Sequence, residues 1–474
     1  MPSAFAPALE RALQASVAYL DGHDAASVSP TVSYADLRAR LNRPLAETGL
    51  AAEAVIDRLT ADVEGGLVRS GGGRFFAWVI GGSVPAALAA DWLASAWDQN
   101  AGLYVCSPAA AVVEEIAGAW LKDLFGLPAS AAFALVTGCQ MAHFTCLAAA
   151  RNHLLAARGW DVERQGLAGG PPIRVLTNDQ YHSTLARAVR HLGLGTDALV
   201  SVSADQRGRL RPESLDHALR DAPSSVPTIV HLQAGDINTG EFEDFATLIP
   251  LAHRYRAWVH VDGAFGLWAA ASPRYRALLT GADQADSWAT DGHKWLNVPY
   301  DCGYAFVAHP ASLRASMSLR ASYVPAEAGS ARDQMDWTPE WSRRARGFAT
   351  YAAIRQLGRR GIADLVERCC DHAHALATRI GALPGAQLLA EPIINQALVR
   401  FPAPGSSATA ADHDRRTDDV ISAVTASGDA FFSGTTWRGT RCMRISVSSW
   451  MTTSRDVDRA VDAVRRVLQR ESGG

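Results

Sequence analysis

Between about residues 110 and 310 the chain alternates two patterns. Short apolar, β-branched runs occur at Ala134–Val136, Ile173–Leu176, Leu199–Val202, Thr228–Leu232, Trp258–Val261, Ser287–Ala289 and Tyr304–Val307. Longer stretches with helical spacing separate several of them, such as Met141–Ala157 and Phe245–Tyr255. This alternation predicts an α/β fold with a mostly parallel seven-stranded sheet, covered by helices on both faces. Such sheets bind ligands at the carboxyl ends of their strands, so the segments directly after each strand carry the most information. They read TGCQ after the first run, NDQYH after the second, AGDINTGE after the fourth, DGAFG after the fifth and TDGHK after the sixth.

The flanks follow other patterns. Residues 1–75 read as a helical N-terminal arm, with helical spacing over Ala8–Leu20 and Ala51–Val63 and breaks at Pro30, Pro44 and Gly71-Gly72-Gly73. An arm with so little core of its own is expected to pack on something else, such as a second subunit. Residues 76–342 read as a large ligand-binding domain. It ends in a long loop, 311–342, of the kind that serves as a catalytic lid. Residues 343–474 read as a smaller α+β domain. It has helices at Arg346–Leu357, Ile362–Ile380 and Asp456–Arg470, strands at Gln396–Arg400 and Cys442–Val447, and an exposed turn at FPAPGSSAT, 401–409.

Composition narrows the function. The chain has 474 residues, 48% of them apolar, enough for a large core. A net charge of −3 with no basic block argues against nucleic-acid or anionic-membrane partners. Seven cysteines without a C-x-x-C pair read as reduced thiols in a cytoplasmic protein, neither a disulfide framework nor a zinc site. Residues 1–20 lack a basic segment ahead of an apolar core, so no secretory signal is expected. The most apolar window, 131–150, contains Gly138, Gln140 and His143 and is too interrupted to span a bilayer. The glycine runs lack a following G-K-[ST] and are not phosphate loops. His231, His253 and His260 read as structural, and no metal-ligand spacing links them.

Three chemistry-bearing residues fall at strand ends: His182, Asp262 and Lys294. Taken singly, each has a bland reading: a helix cap, a turn aspartate and a surface charge. Together they meet the needs of pyridoxal phosphate. That cofactor needs a lysine to hold it as an imine, a carboxylate to keep its pyridine nitrogen protonated, a flat group over its ring and backbone N–H donors for its phosphate.

HVDGAFG (260–266) and DGHKWLN (291–297) resemble the aspartate and lysine motifs of the pyridoxal-phosphate group II amino-acid decarboxylases. These include the aromatic-L-amino-acid and glutamate decarboxylases. The resemblance runs from about Phe75 into the C-terminal domain, and the interval of 32 residues from Asp262 to Lys294 is that of the aromatic branch. It implies pyridoxal-phosphate fold type I, like aspartate aminotransferase, and an obligate homodimer. Lys294 then carries the cofactor, Asp262 pairs with the pyridine nitrogen, Ala264 packs under the ring and His182 stacks over it. Gly138, Cys139 and Gln140 occupy the phosphate cradle, with His293 close by. Cys139 also fits a small buried hydrophobe. Ser342 matches a phosphate contact lent by the partner subunit. Trp78 and Val79 fall where the family builds its substrate pocket, although Trp78 fits a core position equally well, and Arg444 matches a C-terminal arginine. Thr239, with Asn238 second, supplies a hydroxyl or amide to the cofactor's phenolic oxygen.

Tyr323 stands 29 residues after Lys294, the interval of the family's mobile-loop tyrosine that returns a proton after CO₂ leaves. Relatives that make aldehydes tend to lack it. The resemblance therefore implies decarboxylation of an L-amino acid to its amine, with aromatic or bulky apolar substrates favoured. An aminotransferase or a decarboxylating aldehyde synthase is the alternative. Two features depart from the family: the cradle is poorer in serine and small residues, and Asp291 stands where some members carry asparagine. A carboxylate there would repel a phosphate dianion, so Asp291 is expected to turn away or cap a turn.

Overall fold

Seven strands form the central sheet: β1 (Ala132–Val136), β2 (Arg174–Thr177), β3 (Leu199–Ser201), β4 (Thr228–Gln233), β5 (Trp258–Asp262), β6 (Ser287–Asp291) and β7 (Gly303–Val307). This computed structural model describes residues 4–221, 223, 226–319 and 331–472. The strand order is β1-β7-β6-β5-β4-β2-β3. Only β7 runs against its neighbours; the other pairings are parallel. Strands β1, β4, β5, β6 and β7 are buried along their whole length. That explains their near-continuous apolar runs, because both faces of a parallel sheet are covered.

Register decides where the chemistry sits. Gln233 of β4 is level with Asp262 of β5, and Asp262 is level with Ala289 of β6. The carboxyl ends of three adjacent strands therefore share one edge. The helix Cys139–Ala156 leaves β1 at the same edge and is buried on nearly all sides by Ala142, Cys146, Leu147, Ala149 and Ala150. Small residues at these positions let its backbone approach the sheet closely.

The chain divides into two compact units. One comprises Gly81–Asp371 and Ala390–Ala397 and contains the seven-stranded sheet. The other comprises Met1–Ile80, His372–Leu389 and Leu398–Gly474. The second unit carries the arm helices Ala6–Asp21, Tyr34–Leu41 and Ala52–Val63. A four-stranded sheet follows, with β8 (Gln387–Leu388), β9 (Gln396–Arg400), β10 (Ser433–Trp437) and β11 (Thr440–Ser446) in the order β10-β11-β9-β8. Within this unit the Arg74 guanidinium donates to the carbonyls of His23, Ala26, Gly428 and Asp429, tying the arm to the C-terminal part.

One expectation needs correction. Pro310–Met317, read as the start of a loop, is a helix with proline in its first turn, where the missing N–H costs nothing. The two helices expected at Arg346–Leu357 and Ile362–Ile380 are present within Gly347–Gly381, separated by a kink at Gly358. Gly358 has φ 61° and ψ 176°, a break that only glycine adopts cheaply.

Candidate active site

After β6 the chain makes a single wide π turn, Gly292–Leu296, and Lys294 sits on it. Such turns are rare and cluster at functional sites. Asn297 closes the turn in the left-handed conformation, its amide donating to the carbonyls of Lys294 (3.2 Å) and Trp295 (3.0 Å). Segment 81–84 packs against it. Val84 N–H donates to the Asn297 carbonyl at 2.8 Å, and a Cβ on Gly81 would stand 1.8 Å from the Lys294 carbonyl oxygen. Only glycine fits at that approach.

The chain has just two lysines, Lys122 and Lys294. Lys122 is engaged by the carbonyls of Ala129 (2.6 Å) and Ala131 (2.8 Å). The Lys294 side chain, 17% exposed, lies 3.0 Å from Asp291 Oδ2. Burial, the largest single effect, would lower its pKa; the Asp291 carboxylate, together with Cys139 and Asp262, outweighs it and holds the amine above the ordinary lysine value.

Asp291 does not turn away from the cradle. It is 2% exposed, and its Oδ1 accepts from Cys139 N–H, the first amide of the Cys139–Ala156 helix. His293 Nε2 lies 3.5 Å from the same oxygen, while His293 Nδ1 accepts from Cys302 N–H at 3.1 Å. Burial lowers the pKa of His293, and its ring stacks on Tyr300 at 4.3 Å.

Asp262, at the end of β5, is held by a second set of groups. Its Oδ1 accepts from Ala264 N–H (3.1 Å) and faces Cys139 Sγ (3.9 Å). Its Oδ2 lies 3.4 Å from His143 Nε2 and 3.7 Å from His231 Nε2. Burial would push the carboxyl pKa up, but His143 and His231 prevail and hold it well below the usual carboxylate range. Burial, then the Asp262 and Asp291 carboxylates, drive the Cys139 thiol well above its ordinary value. Cys139 therefore stays protonated, pointing its S–H at Asp262. Among the described residues, Cys139, His143 and Asp262 converge within 4.8 Å with donor types that suit a divalent metal. Each of these donors already faces another of the three.

The structure thus brings Gly138, Cys139, Asp262, Ala264, Asp291, His293 and Lys294 together. Gln140 lies on the first turn of the same helix, half-buried. His182 is an exposed helix cap; its Nδ1 accepts from Thr184 N–H at 3.3 Å. Thr239 is fixed in a tight turn, its hydroxyl and amide both donating to Asp236 Oδ1, with Asn238 N–H on the same oxygen. Ser342 is exposed, and its hydroxyl accepts from Asn100 at 3.4 Å. Tyr323 lies outside the described residues. Trp78, Val79 and Arg444 belong to the other unit. Trp78, 55% exposed, packs beside Phe75 and Phe431, whereas Val79 and Arg444 are buried. Trp78 and Val79 both have positive φ, 53° and 60°, a strained conformation that clusters at functional sites.

Sequence reasoning missed His143, Tyr300 and the part played by Asp291. His143 has partners remote in sequence that only the fold joins, and Tyr300 meets the nearby His293 only because the chain folds back after the π turn.

Pyridoxal phosphate suits this edge. A lysine paired with Asp291 and a carboxylate held ionised stand at neighbouring strand ends. Gly138, whose missing side chain leaves room beside His293 (Cε1 3.1 Å from a Cβ built there), opens a helix N-terminus, the end that favours an anion, although its first amide already donates to Asp291. Asp291 counts against the fit, because its carboxylate sits where a phosphate would approach.

Comparison with known proteins agrees. The family model for the pyridoxal-dependent decarboxylase conserved domain matches residues 35–402. The chain is 26% identical over 363 residues to an aromatic-L-amino-acid decarboxylase of Bacillus atrophaeus, covering 76% of this chain and 72% of that protein. It is 26% identical over 449 residues to a 4-hydroxyphenylacetaldehyde synthase of Rhodiola rosea, covering 93% and 90%. The crystal structure of Oryza sativa TDC with PLP and tryptamine superposes with a TM-score of 0.91 at 24% identity, covering 98% of this chain and 97% of that one. The chain belongs to the pyridoxal-dependent decarboxylases, as a fold type I, pyridoxal-phosphate-dependent carboxy-lyase acting on an amino acid.

Proposed function

We propose that this chain decarboxylates an aromatic or bulky apolar L-amino acid to its amine, with Lys294, Asp262 and the Gly138-Cys139-Gln140 cradle as its cofactor machinery. The observation that carries this reading is the placement of Lys294, the one lysine not engaged by carbonyl oxygens, on the π turn after β6. It stands on the strand edge that also presents Asp262. When bound, pyridoxal phosphate withdraws electrons from the bond that breaks at Cα.

The protein's own groups do the rest. Lys294 would hold the cofactor through its side-chain amine. Asp262, kept ionised, would pair with the pyridine nitrogen and hold a proton there. His182 would stack over the ring, Ala264 would pack under it and Thr239 would meet the phenolic oxygen, while Ser342 is read as the partner subunit's contribution to the phosphate. Tyr323 supplies the proton that replaces CO₂. Trp78, Val79 and Arg444 are assigned to the substrate by the family resemblance alone. The aromatic preference is supported by the aromatic and 4-hydroxyphenyl compounds in the names of the two relatives. A homodimer is supported by exposed apolar side chains on Ala6–Asp21 (Leu9, Leu13, Val17) and on Pro85–Trp97 (Trp92, Leu93, Trp97). Cysteine usage supports a cytoplasmic location.

The Rhodiola relative sustains a second reading, a decarboxylating aldehyde synthase. Product identification separates the two. Holoenzyme incubated with the twenty amino acids is expected to release CO₂ and an amine from aromatic substrates, without O₂ uptake. Aldehyde and O₂ uptake as the main outcome would establish the second reading. Tyr323→Phe is expected to lower amine output and let aldehyde or keto acid appear.

A further inference from the structure

A line of buried polar groups runs from Asp262 into the interior of the sheet. Trp258 Nε1 lies 2.9 Å from Ser287 Oγ, and Ser287 Oγ lies 2.9 Å from His260 Nδ1. His260 Nε2 lies 2.8 Å from His143 Nδ1, and His143 Nε2 lies 3.4 Å from Asp262 Oδ2. His143, His260, Trp258 and Ser287 are all at most 2% exposed. Two buried imidazoles in series, beneath a buried carboxylate, exceed what packing requires, since apolar side chains fill such space at lower cost.

The direction of the chain follows from its ends. An indole N–H can only donate, so Ser287 Oγ accepts from Trp258, and its own hydroxyl can donate to His260 Nδ1. His260 then carries its proton on Nε2 and donates to His143 Nδ1, which leaves the His143 proton on Nε2, facing Asp262. The opposite order would aim a His143 lone pair at an ionised carboxylate. Burial, with His143 and His231 nearby, drives His260 well below its ordinary pKa, consistent with a neutral ring.

We propose that His143 is a positioning residue for Asp262. The one-way chain Trp258 to Ser287 to His260 to His143 delivers an N–H to the carboxylate and keeps it in the ionised, correctly turned form that a protonated pyridine nitrogen requires. This rests on the reading of Asp262 as the partner of that nitrogen.

The test has an arm in the apoprotein and an arm with cofactor. Histidine ring ¹⁵N spectra of the cofactor-free protein, assigned with His143→Gln and His260→Gln, are expected to show both rings neutral and protonated on Nε2 at pH 7. Ser287→Ala, which removes only the hydroxyl, is expected to abolish the Nε2 preference of His260. With pyridoxal phosphate, His143→Leu is expected to weaken binding about tenfold and to move the pH at which the bound cofactor's visible band changes. His143→Gln, whose amide can still donate, should recover most of both. A doubly protonated or Nδ1-protonated His143, or equal losses in the Gln and Leu variants, overturns the relay. Correct tautomers combined with cofactor binding indifferent to Asp262→Ala overturn instead the reading of Asp262 on which the relay's purpose rests.

Discussion

Asp291 faces two positive partners at once, the Lys294 ammonium at 3.0 Å and the first amide of the Cys139–Ala156 helix. An amine can add to a carbonyl only when unprotonated, and Asp291 keeps Lys294 protonated above its ordinary range. Cofactor loading onto the apoenzyme should therefore quicken as pH rises above neutrality. Asp291→Asn removes the carboxylate that raises the lysine pKa and that opposes a phosphate dianion. The climb in loading rate is expected to move to lower pH, and cofactor affinity to rise by about tenfold, the scale of one nearby charge. Stopped-flow absorbance across pH checks this, and an unshifted profile would remove Asp291 from the account. Lys294 and Asp262 were legible in the sequence because strand periodicity located the edge and their interval matched a family. Asp291 was not, because the groups it meets include an amide 152 positions away. His143 likewise looked like one helix residue among many; its meaning lies in strands that arrive more than a hundred residues later.

At the scale of elements, the seven strands could be read from apolar runs, since burial on both faces leaves a period-free signature. Segment 331–346 was harder, because no periodicity marks it. Arg343 anchors it. Its guanidinium lies 2.8 Å from Glu114 and donates to the carbonyls of Ala101 (3.0 Å) and Leu135 (2.6 Å), with both charged side chains almost fully buried. Removing one partner of such a pair strands a buried charge and typically costs about 3–5 kcal/mol. Glu114→Gln and Arg343→Met should each lower the denaturation midpoint by that scale. The double variant Arg343→Met with Glu114→Leu should recover much of the loss. If the single variants unfold like the parent, the pair is not what fixes this segment. Gly81 tests a second junction. A Cβ 1.8 Å from the Lys294 carbonyl must displace the π turn, so Gly81→Ala is expected to lose cofactor retention before it loses secondary structure, as followed by visible absorbance alongside far-ultraviolet circular dichroism.

For the whole molecule, the arm helix Ala6–Asp21 presents Leu9, Leu13, Val17 and Leu20 in one exposed line and buries none of its residues. Its helical spacing was visible in the sequence, and so was its lack of a core; what covers the line is not a property of one chain. With a second copy as the cover, the double change Leu9→Glu and Leu13→Glu should shift the light-scattering mass from twice the chain mass towards the chain mass, and activity should fall with it. An unchanged mass would separate the arm from dimer formation. The central claim, however, is that Lys294 holds the cofactor, and the scarcity of lysine in this chain makes it directly measurable. Borohydride reduction of the holoenzyme converts an imine into a stable secondary amine, and peptide mass analysis then locates the tag. The account predicts a phosphopyridoxyl group on the peptide containing Lys294, and none on that containing Lys122; a tag on Lys122, or no tag on a protein that turns over substrate, would contradict it.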